Sequence, residues 1–121
     1  EIGSGLVGSE MCIRDRFYST HFDKSMKVGA SVVCARRGGC SATFDELNKY
    51  FTICNMPIAS SQYWNSIHGR EVGEAEMDDE GKQTMRVLAR NMTFLMKSIA
   101  LGKEKYGLPE VEEHAWTHFI R

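Results

Sequence analysis

No two of the four cysteines in this sequence, Cys12, Cys34, Cys40 and Cys54, form a CxxC pair. That spacing gives neither a disulfide framework nor a zinc signature, and it fits free thiols in a reducing cytosol, hence a cytoplasmic protein. Charge of one sign is not in excess either. The formal net charge is −1, so bulk electrostatics favour neither nucleic acid nor an anionic membrane surface. Long apolar runs are missing, and nothing approaches the roughly 18 residues that suggest a membrane-spanning helix. The amino end opens on Glu1 and lacks the sustained apolar core of a signal peptide. A Walker loop and a dinucleotide glycine fingerprint are also missing. No set of nucleophile, base and orienting residue of the hydrolase kind can be assembled from spacing alone.

What remains is ordinary globular material. Apolar residues make up 42% and charged residues 26% of 121 residues, enough for one domain or part of one. Residues 1–16, EIGSGLVGSEMCIRDR, stand apart: four of the first eight are glycine or serine, and no periodicity runs through them. LVGSEMCIRDR is similar to translated adapter sequence. Residues 1–16 are therefore read as a non-native leader, and 17–121 as the carboxyl-terminal part of a domain whose upstream part is missing.

The pattern then reads helix end, strand, helix, strand, long helix. Lys27 to Cys34 holds Val28, Ala30, Val32 and Val33 and is apolar on both faces, as a central parallel strand should be. Cys34 is expected to be buried and inert. A helix is expected from Ala42 or Thr43, with Ser41 or Thr43 as N-cap, Asp45 and Glu46 in the first turn, and Phe44, Leu47, Tyr50 and Phe51 on its buried face. Cys54-Asn55 ends it. Met56 to Ser60 is expected as the second strand, with Pro57 near its start. A loop over Ser61 to Gly69 and an acidic stretch follow. Asp78 to Lys105 reads as the longest helix: Met85, Leu88, Met92, Leu95 and Ile99 form a stripe at spacings of 3 and 4, read as core, and Gly107 and Pro109 stop it. Two strands cannot form a stable sheet alone, so these two expect neighbours that the chain does not supply.

Chemistry-bearing residues fall at two places. Ala35, Arg36, Arg37, Gly38 and Gly39 follow the first strand. Glycines let backbone approach a ligand closely, successive N–H groups bind acceptors, and arginine pairs with phosphate or stacks on a planar ring. Open α/β sheets hold ligands at this carboxyl edge; the plainer alternative is a solvated turn. Tyr63, Trp64 and His68 follow the second expected strand. The aromatic pair suits either a planar ligand or cover for the core, and His68 can donate a hydrogen bond or a proton. Cys40, beside the arginines and ahead of a helix, is placed for a lowered thiol pKa, although a structural role is the favoured reading. His114 and His118 have i, i+4 spacing but no third metal ligand, and no metal site is expected.

From about Phe17 to Arg121 the chain resembles the carboxyl half of flavodoxin-like NAD(P)H-dependent FMN reductases, relatives of the iron–sulfur flavoproteins. KVGASVVCARRGG, TFDELNKYF, MPIASSQYWNSIHG, QTMRVLARNM and the ending HFIR carry the likeness. The resemblance implies an α/β, doubly wound parallel sheet of order 2-1-3-4-5, here reduced to two strands and about three helices. It implies FMN at the carboxyl edge, with Ala35-Arg36-Arg37-Gly38-Gly39 beside the isoalloxazine ring. Tyr63, Trp64 and His68 would shape the nicotinamide and acceptor side. The implied chemistry is hydride transfer from NAD(P)H through FMN to a small-molecule electron acceptor, and a homodimer is compatible with it. The first strand with its phosphate loop and the second flavin loop have no counterpart here, so weak or no FMN binding is expected of this polypeptide, and no iron–sulfur cluster. The second class kept open is a non-enzymatic nucleotide- or partner-binding α/β module.

Overall fold

The computed structural model describes residues 15–119, so the leader reading for residues 1–16 falls almost wholly outside the described residues. The regular elements are β1 (Val33–Ala35), α1 (Cys40–Thr52), β2 (Ser66–His68), a 3₁₀ turn (Glu74–Met77) and α2 (Asp79–Tyr106). A helical turn at residues 15–19 precedes them. β1 and β2 pair in parallel, with Val33 opposite Ser66, Cys34 opposite Ile67 and Ala35 opposite His68. The molecule is thus a mixed α/β unit built on a two-stranded parallel sheet.

The helices pack on opposite faces of that sheet. Alternate residues of a strand point to opposite sides. From β2, His68 reaches the start of α1, where its ring approaches Cys40, while Ile67 lies where any side chain added at Gly81 of α2 would meet it at 2.9 Å. On the first strand the α1 side is tightly made. The Phe51 ring lies over Gly29, where an added Cβ would come within 2.6 Å of it, and Ser31 Oγ donates to Asn48 Oδ1 at 2.7 Å. Val33 is buried on the same side.

Four expectations need correction. First, the 56–60 segment contributes one isolated bridge, Ile58 to Gly29, and the regular second strand is Ser66–His68, inside the stretch read as a loop. Pro57 has no N–H to donate to a ladder; its carbonyl accepts from Gly29 N at 2.9 Å. Beyond Ile58 the chain leaves the sheet because α2 captures it. Ser61 Oγ donates to the Thr84 carbonyl at 2.7 Å, and Asn91 Nδ2 donates to the Ser60 carbonyl at 2.9 Å. Pairing resumes when the Asn65 carbonyl accepts from Val33 N, and the buried Asn65 side chain donates to the Ser31 carbonyl at 3.0 Å. Four residue steps from Gly29 to Val33 therefore run beside eight from Ile58 to Ser66, and the surplus forms an excursion at residues 60–65.

Second, α1 begins at Cys40, not near Ala42, and its N-cap is Gly39 at φ 90°, a left-handed conformation that glycine adopts without a Cβ clash. Thr43 Oγ1 bonds to the Gly39 carbonyl instead of capping, and Asp45 and Glu46 fall beyond the first turn, where Glu46 pairs with Lys49 at 2.7 Å. Third, Cys34 is exposed, as is Val32, because both point to the side of β1 that α2 does not cover. Fourth, the first strand is regular only over Val33–Ala35, not from Lys27 to Cys34, and Gly29 contributes a single bridge. The tail after Tyr106 is irregular, in keeping with its lack of period, so the spacing of His114 and His118 has no helix beneath it.

The long helix follows its pattern. Leu88 is buried, and Met85, Met92, Leu95 and Ile99 are half-buried on the sheet side. Asp78 caps its start, accepting from Gly81 N at 2.9 Å. Gly107, at φ 76°, ends it, with its N–H bonded to the Lys103 carbonyl at 3.0 Å. α1 ends at Thr52, and a turn through Asn55, at φ 56°, returns the chain to the sheet. No helix among the described residues is long and apolar enough to cross a membrane.

Candidate functional site

The carboxyl edge of the sheet gathers residues that are far apart in sequence. Ala35 ends β1, and its carbonyl accepts from Gly69 N at 3.3 Å, so the loop at 35–39 starts beside the end of β2. Arg36, Arg37, Gly38 and Gly39 are all exposed. A Cβ built on Gly38 or Gly39 meets nothing within 4 Å, so open space lies in front of the loop. The loop runs directly into α1, whose first turn has no side-chain cap. The orphan amides of that turn are hydrogen-bond donors at the positive end of the helix dipole.

His68 occupies the last position of β2, opposite Ala35. Asp78 holds it from the far side: His68 N donates to Asp78 Oδ2 at 2.8 Å, and the ring Nδ1 lies 3.8 Å from the same oxygen. The N–H donors of Gly81 and His68, in that order, hold the Asp78 carboxyl below the usual carboxylate range against the opposing effect of burial, and weaker attractions from His68 and Lys82 add to the lowering. On the other side, His68 Nε2 lies 3.8 Å from Cys40 Sγ. Cys40 is buried at 8% exposure, in the first position of α1.

Tyr63 and Trp64 sit in the excursion, not after the last strand. Their rings are 5.7 Å apart, and Trp64 also meets Phe44 of α1 at 6.1 Å. Both are more than half exposed. With His68, Ser66, Asp78 and Thr84 they line a cleft of about 160 Å³. Tyr63, Trp64 and His68 thus share one cleft, and only His68 is placed by strand register beside the arginine loop.

The set Cys40, His68 and Asp78 was invisible to a reading by spacing, which finds no nucleophile with a base and an orienting group. Its members are 28 and 10 residues apart, and only the pairing of Ala35 with His68 brings them together. One local signal existed: an aspartate three residues ahead of Gly81 at the start of an apolar-periodic helix is a capping position. Among the described residues no group of three or more His, Cys, Asp or Glu side chains is arranged to hold a metal ion. The chain matches no family model, no curated protein and no solved structure.

Proposed function

We propose that residues 35–39 form one wall of an FMN site in a flavodoxin-like oxidoreductase that passes hydride from NAD(P)H through the flavin to a small acceptor. The observation that carries the reading is the setting of the loop. An exposed Arg-Arg-Gly-Gly run leaves the carboxyl edge of a parallel pair and enters an uncapped helix. Ligands of open α/β sheets lie at such edges. The bound flavin supplies the redox chemistry; the chain supplies orientation and electrostatics. The amides of Cys40, Ser41 and Ala42 are donors suited to an electron-rich ring edge. Arg36 and Arg37 bring positive charge that favours the reduced, anionic ring. Gly38 and Gly39 leave the loop face clear for a planar group. Tyr63, Trp64 and His68 shape the nicotinamide and acceptor side.

The remaining wall of such a pocket belongs to strands beside β1. Among the described residues β1 has a free edge, which leaves room for them. The 121-residue chain by itself is therefore expected to bind FMN weakly or not at all. The test is flavin titration, followed by fluorescence quenching and by the reduction potential, in a protein with the full sheet. Replacing Arg36 and Arg37 with alanine should weaken FMN binding about tenfold or lower the potential. If affinity and potential both stay unchanged, the loop has no such role. A complete protein that stays colourless with added FMN favours the nucleotide- or partner-binding module.

A further inference from the structure

Among the described residues Cys40 is set apart from the other thiols by its neighbours. Cys34 is exposed, and Cys54 Sγ faces the Phe17 carbonyl at 4.0 Å. The Cys40 sulfur instead has an imidazole nitrogen at 3.8 Å, and the other nitrogen of that ring has a carboxylate oxygen at 3.8 Å. The carboxylate is fixed by two backbone donors at 2.8 and 2.9 Å, so it cannot swing away from the ring without losing them. The sulfur also stands in the first position of a helix with no side-chain cap. A proton acceptor and an orienting anion thus line up on one sulfur, the arrangement that activates a thiol nucleophile.

We propose that Cys40 is a nucleophilic thiol that exchanges with small disulfides, with His68 as its proton acceptor and Asp78 as a positioning residue. The Cys40 sulfur attacks one sulfur of the disulfide while its proton passes to His68 Nε2. A new S–S bond forms to Cys40 as the substrate S–S bond breaks, and the departing thiolate takes the proton from His68. Cys40 is oxidised to a mixed disulfide, and half of the substrate is reduced to a free thiol. A second small thiol reverses the step, so no further oxidant or reductant enters. Access selects this substrate class. A cysteine residue only 8% exposed offers a narrow approach. Displacement at a disulfide needs only an in-line path, whereas attack on a carbonyl needs room for a tetrahedral centre. The proposal does not rest on flavin binding.

The probe is hydroxyethyl disulfide, applied to the reduced chain, with adducts at each cysteine followed by peptide mapping. Cys40 should form its adduct about tenfold faster than the half-buried Cys54. His68→Gln should slow Cys40 about tenfold and leave Cys34 and Cys54 unchanged. Added imidazole should restore the Cys40 rate in His68→Ala. Asp78→Asn retains a capping side chain, so the melt should stay cooperative while the Cys40 rate falls about threefold. Adducts confined to Cys34 and Cys54, or a Cys40 rate untouched by His68→Gln, overturn the nucleophile. A Cys40 rate untouched by Asp78→Asn overturns the positioning role. Because no flavin is present, these outcomes are independent of the FMN titration.

Discussion

The two halves of α2 share one apolar stripe but live in different surroundings. The first half is anchored. Asp78 caps it, the Gly81 backbone lies against Ile67, the Thr84 carbonyl accepts from Ser61, and Leu88 is buried at 6% exposure. In the second half no residue is fully buried: Leu95 and Ile99 are half covered, while Phe94 and Leu101 are 74% and 67% exposed. The stripe continues unbroken, yet the sheet that should receive it ends. An apolar periodicity therefore specifies a helix and the side it would bury; how much of that side is buried depends on the length of the partner layer.

The comparison can be broken at its strong end first. Leu88→Ala should cost about 3 kcal/mol, read by urea denaturation, because it opens a cavity where the helix is held on the sheet. A loss no larger than that of an exposed site would mean the first half is no better anchored than the second. The next effect is a dependence on pH. Asp78 and Glu74 both have carboxyls held below the usual range, Glu74 by the N–H groups of Glu71 and Arg70. A carboxylate depressed in the folded state contributes stability above its unfolded pKa and loses it as pH falls through the folded value. Melting temperature should therefore drop as pH is lowered below about 4, and the drop should shrink in Asp78→Asn, which cannot titrate. An identical drop in the variant would remove Asp78 as a source. The smallest effect belongs to the far half: Leu101→Ala should change stability by less than about 0.5 kcal/mol. A larger loss would show that the exposed half packs against something in solution.

The elements with strong local signals were legible beforehand. The stripe from Met85 to Ile99, the stop at Gly107 and the turn at Asn55 carry their instructions in adjacent residues, whereas the apolar run from Lys27 to Cys34 marked the place of the first strand but not its bounds, Val33–Ala35. The second strand was not legible. Ser-Ile-His is three residues long, polar at both ends, and preceded by a better-looking apolar run that pairs at one point only. Interactions with α2, made by Ser60 and Ser61, decide where pairing stops, and no local pattern encodes them. The same division holds for the site. The Arg36–Gly39 loop shows itself through composition, while the approach of His68 to Cys40 depends on register between distant segments. The burial of Cys40 and the exposure of Cys34 follow from that register and from which face each helix covers.

The excursion at residues 60–65 has a consequence for how such a chain can change. Hydrogen bonds close the ladder on both sides of it, Ala59 to Gly29 before and Val33 to Asn65 after. Residues between those closures set no register, and each doubling of a loop's length costs only about 0.6 kcal/mol. Tyr63 and Trp64 therefore ride on a segment whose length and composition can drift while His68, Cys40 and the arginine loop keep their places. The fold separates the part of its cleft that can be retuned from the part that must stay fixed.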